Sequence, residues 1–531
     1  MWPLPRLTTT SATDFLKPDP LVFLSAGALV LVWPPYGLTW LGWVALVPFL
    51  IVVERAKSPL RAAVQGQWLA LAFGLGVLAP VARAFGTYQD LGAWGGGLAA
   101  LIAALIFQLV WPVFAALRHR WPRSATVGAA ALYTGLDALI PKPFGDTLGL
   151  AYYEHAWLRQ CADLGGPWVL TFVILVVNET VHRSWAEGVD RHRSRWVTAG
   201  VLVGLATVYG AMRHAQWSAR EAELPGLSVA VVQGNLPLEV RRQAATGDDA
   251  SSTHVLDAYL RASTEATAYE PDLIVWPETT YPGLYRQPFT ESQAHRNVQV
   301  DAFVQRHQQP LALGSYLGDD EGVQYNAIVA LSPVSGSPGP PNVEGYRKRE
   351  LLPFGETVPL LGDGDLARRW FPHVSFFGRG PGPSTLRMPL RASEGEPDTV
   401  VLGPTVCYED LFVRIPLAEA DLGAEVLLNV SHDGWFGPHF VRSFHLAHAV
   451  FRSVEARRPQ IRAATSGISA LLSATGDPIA TGPALEAVVV RGRIARGLSG
   501  TSPVGRLGSS AAIVVFLLVA GWALNRPTPV R

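Results

Sequence analysis

From residue 18 to about residue 213 the chain reads as long apolar runs separated by short polar loops, and the same texture returns once, near 507–524. The runs lie at roughly 18–33, 38–54, 66–86, 93–117, 126–141, 165–181 and 196–213. Several approach the roughly 20 residues that carry a helix across a bilayer; the shorter ones are marginal for that task. Between residues 226 and 495 no run is long enough to span. There the pattern shortens to β-rich stretches bounded by breakers, at 227–236, 271–278, 310–317, 325–333, 343–351, 399–409 and 424–437. Segments 251–269 and 440–457 carry apolar residues at helical spacing, and the turn-rich 332–341 reads as an exposed loop. Strands mixed with helices predict a layered α/β domain. The expected layout is a membrane domain of seven helices (1–225), a soluble domain (226–495), and an eighth helix with a short tail (496–531).

Composition agrees with that layout. Hydrophobic residues make up 49% of the 531, charged residues only 16%, and there are 17 tryptophans, a balance that leans toward the membrane class. A formal net charge of +0 gives no electrostatic reason to expect nucleic acid as a partner. The two cysteines, Cys161 and Cys407, cannot build a disulfide framework and are not expected to pair. No cysteine or histidine cluster has metal-ligand spacing, so neither a metal nor a cofactor is expected.

Loop charge gives the orientation. The loops after the second, fourth and sixth runs hold Arg55, Lys57, Arg61, Arg118, Arg120, Arg123, Arg183, Arg191, Arg193 and Arg195, against only Arg83, at the end of the third run, and Lys142 and Arg159 after the fifth. Cationic loops stay in the cytoplasm. Both termini are therefore expected to be cytoplasmic, and residues 226–495 to lie on the far side. Because other spans follow at once, the first is read as an anchor and not as a cleaved signal.

Three chemically able residues fall at or near predicted strand ends: Glu278 in WPE, Lys348 in YRKRELLPFGE and Cys407 in VCYED. Each has a plainer reading. Glu278 could cap the next segment, Lys348 could be one solvated charge of a basic run, and a free cysteine is commonly a small core residue. Strand ends of one sheet converge on a shared crevice, which favours reading the three together. Arg347 and Arg349 flank Lys348 at strand period and should face away from it.

WPE, YRKRELLPFGE and CYE, in this order, resemble the Glu–Lys–Cys pattern of the nitrilase superfamily. Together with VVQGN, YNAIV, KRELLPFGETVP, DGWFG and SGISA, behind seven runs and before one, they resemble more narrowly the apolipoprotein N-acyltransferase family. The resemblance implies an αββα sandwich facing the periplasm of a bacterial inner membrane. It also implies transfer of an acyl chain from a phospholipid to the α-amino group of a diacylglyceryl-cysteine at a lipoprotein N-terminus. On this reading Glu278 is the base, Lys348 with the backbone N–H of Tyr408 stabilises the oxyanion, and Cys407 carries the acyl group as a thioester. Glu356, Glu409 and Asn326 would support them, and a monomer is expected. His432, where the family pattern has Asn, and the run around Thr465 and Ser466 depart from that pattern.

Trp370, Phe376 and Phe377 lie among arginines, and Trp435 and Phe436 follow in DGWFG; aromatics beside cations suit a lipid interface, or else pack on the domain itself. Two rival readings use the same residues: a membrane-tethered amide hydrolase, and a binding domain without catalysis. A tether needs only one span, and all three reactive residue types are present, which weighs against both.

Overall fold

A computed structural model describes residues 15–88, 92–120, 126–142, 144–287, 289–334, 336, 339–390, 398–436 and 440–524. The chain gathers into two compact units, one built from residues 1–151, 170–205 and 513–531, the other from 152–169 and 206–512.

The first unit is helical. Its helices include Pro20–Val32, Val47–Arg55, Pro59–Tyr88, Gly92–Phe107, Val110–Arg120 and Thr126–Leu139. Small residues let them approach: a Cβ on Gly66 would stand 2.5 Å from the Trp111 carbonyl oxygen. Arg118 is held bidentately by the buried Glu179, at 2.6 and 2.8 Å.

Several expected spans are divided. The run 38–54 becomes a short turn, Thr39–Trp43, and the nine-residue helix Val47–Arg55, which Pro48 opens. The run 93–117 breaks before Val110, because Pro112 has no N–H and is tolerated only in a first turn. Among the described residues one helix, Asp190–Ala222, is long and apolar enough to cross a membrane. A second qualifies if Leu158–Gly165 and Trp168–Glu187, bent by 118°, count as one span; Pro20–Val32 and Ser510–Ala523 are apolar but shorter.

The second unit is built on two six-stranded sheets. The first has the order β12-β1-β2-β3-β4-β5, with β1 Gly226–Gln233, β2 Leu273–Val275, β3 Leu311–Gly318, β4 Gln324–Ser332, β5 Asn342–Arg347 and β12 Val488–Ala495. The second has the order β11-β10-β9-β8-β7-β6, with β6 Leu386–Pro389, β7 Thr399–Val406, β8 Val426–Ser431, β9 Gln460–Ala464, β10 Ala470–Leu472 and β11 Pro478–Thr481. In each, three central strands run parallel, β1-β2-β3 and β7-β8-β9, and the outer ones are antiparallel.

The sheets pack face to face. Val229, Val275 and Ile328 of the first meet Val400, Leu402, Leu428 and Ile461 of the second, each nearly or wholly excluded from water, worth about 1.5–3 kcal/mol per side chain. Helices Asp249–Ala266 and Glu291–His307 cover the outer face of the first sheet through Leu256, Tyr259, Val300 and Val304. Their starts are fixed by caps: Asp248 accepts from the Ser251 N–H and Thr290 from that of Gln293. Helices Arg414–Asp421 and Phe440–Ala456 cover the second sheet through Leu417, Ala420 and Ala456. The result is the expected αββα sandwich, with the carboxyl ends of its parallel strands at one edge.

Candidate active site

Glu278 sits beyond β2 in a loop that crosses the neighbouring strand. That crossing requires glycine: a Cβ on Gly314 of β3 would stand 2.4 Å from both the Glu278 Cα and the Pro277 carbonyl oxygen. The loop is held from outside by Arg241, whose Nη2 donates to the carbonyls of Glu278 at 3.0 Å and Thr279 at 3.2 Å. The Glu278 carboxylate accepts from Asn326 Nδ2 and from the His432 backbone N–H, both at 2.7 Å.

Lys348 is the first residue past β5, and its N–H still donates to the Asn326 carbonyl at 2.8 Å. Its ammonium lies 2.9 and 2.8 Å from the two oxygens of Glu356 and 3.8 Å from Glu278. Asn326 Nδ2 also donates to Glu356 at 2.7 Å, and so ties the two carboxylates together. Asn326 Oδ1 is buried and has no partner among the described residues.

Cys407 follows β7 with φ +51, the left-handed region that ordinary side chains avoid. The turn puts it both at the edge of the sandwich core and in the field of Glu278 and Lys348. The strain is held by Glu409. Its carboxylate accepts from the Val406 N–H at 2.8 Å, the Arg349 N–H at 2.7 Å, the Glu350 N–H at 3.1 Å and the Tyr346 hydroxyl at 2.9 Å. One buried carboxylate thus joins the strand before Cys407 to the loop after Lys348. Tyr408 packs edge-on against Phe412, 5.1 Å between ring centres.

Charge follows from these contacts. Burial, with the nearby Glu356, pushes the Glu278 carboxyl above the usual carboxylate range, although Lys348, Asn326 and the His432 N–H pull it back. Burial disfavours the Lys348 ammonium, but Glu356 and Glu278 outweigh it and hold Lys348 well above the ordinary lysine range. Burial and the Glu278 charge push the Cys407 thiol up against the pull of Lys348. At neutral pH the resting pair is a protonated thiol beside a fixed ammonium.

Of the residues singled out by sequence, Glu278, Lys348, Glu356 and Asn326 form one hydrogen-bonded cluster beside Cys407, while Glu409 lies behind as a clamp. Arg347 and Arg349 do face away: Arg347 lies over the Tyr325 ring, 4.5 Å from its centre, and Arg349 pairs with the buried Glu419 at 2.9 Å. Trp370 is 71% exposed on helix Asp365–Trp370. Phe376 lies under Arg368, 4.7 Å from ring centre to guanidinium, and Phe377 stacks on Tyr316 at 5.2 Å. Trp435 and Phe436 close the turn Asp433–Phe436, and their side chains lie outside the described residues.

The unusual His432 has a simple account. Glu278 is met by its backbone N–H, which any residue supplies, while its Nδ1 faces the Gly434 N–H and the Thr465 hydroxyl at 3.2 and 3.1 Å. Burial and Arg241 hold the imidazole well below its ordinary range, so it stays neutral. Sequence reasoning missed Tyr346 and Arg241. Tyr346 stands two residues before Lys348, in the same motif, and could have been found there.

Residues 25–180 match the apolipoprotein N-acyltransferase N-terminal domain family and residues 228–501 the carbon-nitrogen hydrolase family. An apolipoprotein N-acyltransferase of Azotobacter vinelandii is 30% identical over 544 residues, covering 96% of this chain and 95% of its own. The chain belongs to the apolipoprotein N-acyltransferase family. A family member from Geobacter metallireducens is 27% identical and covers 98% of both chains. Among solved structures, an amidase from Nesterenkonia sp. is 17% identical, covering 51% of this chain and 90% of its own with a TM-score of 0.34.

Proposed function

We propose that this chain moves a fatty acyl chain from a membrane phospholipid to the α-amino group of the N-terminal S-diacylglyceryl-cysteine of apolipoproteins. The observation that carries the reading is the buried cluster of Glu278, Lys348, Glu356 and Asn326 at the turn that presents Cys407, in a chain similar over nearly its whole length to enzymes named for this transfer.

The steps follow from the protonation states. As the thiol attacks the donor ester, its proton passes to Glu278, whose raised basicity suits a general base. The tetrahedral oxyanion is met by the Lys348 ammonium and the Tyr408 N–H. The ester C–O bond breaks, Glu278 returns the proton to the departing lysophospholipid oxygen, and a thioester remains on Cys407. The incoming amine attacks that thioester and Glu278 takes the amine proton. Collapse forms the amide, and the proton goes back to the sulfur. Lys348 acts as a fixed charge throughout, because it is held too strongly protonated to serve as a base.

The domain division at residues 225 and 495, eight membrane spans, cytoplasmic termini and a periplasmic catalytic domain belong to the same proposal. The spans and the domain division rest on the apolar runs, and the orientation on the ten-to-three loop charge asymmetry. A reporter fused after Val240 is then active only on the periplasmic side, and one after Arg120 only on the cytoplasmic side. Trp370, with Arg368 and Arg369 beside it, is suited to a lipid interface, and Phe376, Phe377, Trp435 and Phe436 belong to the same lipid-facing reading.

The test of function is to incubate purified protein with phospholipid and a diacylglyceryl peptide. N-acylated peptide and lysophospholipid are expected in equal amounts. Ammonia released from small amides, with no acylated peptide, would overturn the reading in favour of a hydrolase.

A further inference from the structure

Strands β7 and β8 are parallel and Val406 pairs with Val430, so the next residues, Cys407 and Ser431, are neighbours at the same edge. Ser431 is wholly buried, its hydroxyl lies 2.5 Å from Asp433 Oδ1, and from its place beside Cys407 it favours the ionised form of the thiol. Asp433 is also wholly buried and is otherwise fully engaged. His445 Nδ1 lies 3.0 Å from the same Oδ1, and Arg462 Nη2 lies 2.8 Å from Oδ2. Burial opposes the Asp433 charge, but Arg462 and His445 outweigh it and hold the carboxyl far below the usual range. It is therefore a permanent acceptor. A carboxylate cannot donate, so His445 Nδ1 carries a proton toward it.

A hydroxyl has one proton and two lone pairs. While Cys407 is a thiol, Ser431 donates to Asp433, which leaves its lone pairs open to the S–H. Once Glu278 has taken that proton, the sulfur is an anion and needs a donor. Ser431 can turn its hydrogen to the thiolate at little cost, because His445 and Arg462 still satisfy Asp433. We propose that Ser431 is a catalytic hydrogen-bond partner of the Cys407 sulfur, accepting from the thiol and donating to the thiolate, with Asp433 as the positioning residue that gives the switch two stable settings. This rests on the reading of Cys407 as nucleophile. No covalent bond of Ser431 changes, and no other reactant is required.

The titratable and charged groups that act on the pair are these, among the described residues. Glu278, Lys348 and Asp433 act on Cys407. Arg462, His445, Arg442 and His432 lie around Asp433. Ser431→Ala removes the hydroxyl and leaves all of them in place.

The experiment uses the full chain in detergent, with a Cys161→Ser background so that only Cys407 reports. Iodoacetamide alkylation of Cys407 is followed by mass against pH, and single-turnover acylation by phospholipid is timed. In Ser431→Ala the alkylation midpoint should rise by about one unit and acylation should slow about tenfold, the effect of losing a hydrogen bond to a charged group. The KM for phospholipid should hold. Ser431→Thr, which keeps the hydroxyl, should restore both values toward wild type. An unchanged midpoint in a folded Ser431→Ala protein would overturn the proposal, as would a fall in melting temperature with no shift in midpoint. Alkylation does not depend on acyl transfer. An absence of phospholipid acylation in the wild type would therefore contradict the nucleophile reading, while the midpoint shift would still test Ser431.

Discussion

Two buried carboxylates near the nucleophile, Glu278 and Asp433, have opposite fates. Among the described residues the cation paired with the Glu278 carboxylate is the Lys348 ammonium at 3.8 Å, which it shares with a second carboxylate that holds that ammonium more closely. Its charge is left undercompensated and its basicity rises. Asp433 has Arg462 and His445 directly upon it, at 2.8 and 3.0 Å, and its basicity collapses. Burial is the first cause acting on both and pushes both upward; the supply of opposite charge decides the outcome. A carboxylate meant to move a proton is kept short of cations. One meant to hold a floor in place is given an arginine and a histidine directly upon it.

The comparison breaks most sharply if Glu278 is dispensable. Glu278→Gln should slow acylation by roughly 10²–10⁴-fold, the usual range for a general base. Lys348→Met should slow it by about 10²–10³-fold through the lost oxyanion charge. Single-turnover acylation on folded protein measures both, and near-normal rates in either would reassign the site.

Arg462→Met should leave Asp433 charged, buried and short of a cation. A loss of about 3–5 kcal/mol of stability is expected, read as a lower melting temperature in detergent. The sign with pH follows from the depressed carboxyl. In the wild type its contribution is fully present above the ordinary aspartate range and fades only as pH falls through the depressed value. In Arg462→Met the fading should begin at higher pH.

Tyr346→Phe removes one of the donors to buried Glu409 while keeping the ring. It should cost about 1.5–3 kcal/mol and loosen the turn at Cys407, with kcat falling more than KM changes. The smallest effect sharpens the comparison itself. Acylation should rise with pH as Glu278 loses its proton, with a midpoint above the ordinary carboxylate value. Glu356→Gln removes a repelling charge from Glu278 and should move that midpoint down, provided that Lys348 stays in place. Lys348→Met should move it up.

Much of the sandwich was legible because its central strands β1, β3, β4, β7 and β8 are apolar on both faces and bounded by breakers. Strands β6, β9, β10, β11 and β12 were not. Segment 460–464 carries Arg462, which reads as a surface charge until Asp433 is seen opposite it. Strand β12 alternates exposed Arg491 and Arg493 with buried Val490 and Ile494 at the sheet edge. The reactive residues could be read from their motifs, but not the manner in which they are held. Gly314 lies far from Glu278 in sequence, and Tyr346 gives no sign of its bond to Glu409 sixty-three residues on.

The central claim is that Cys407 carries the acyl group, and mass spectrometry of the intact chain tests it directly. After exposure to phospholipid alone, one acyl chain per protein should appear on Cys407 in a burst, be released by hydroxylamine, and be absent in Cys407→Ala. Adding diacylglyceryl peptide, with no donor left, should discharge it. Varying both substrates should then give parallel double-reciprocal lines. Converging lines with no adduct at any time would contradict the account and leave Cys407 as a side chain that only packs the edge of the sandwich core.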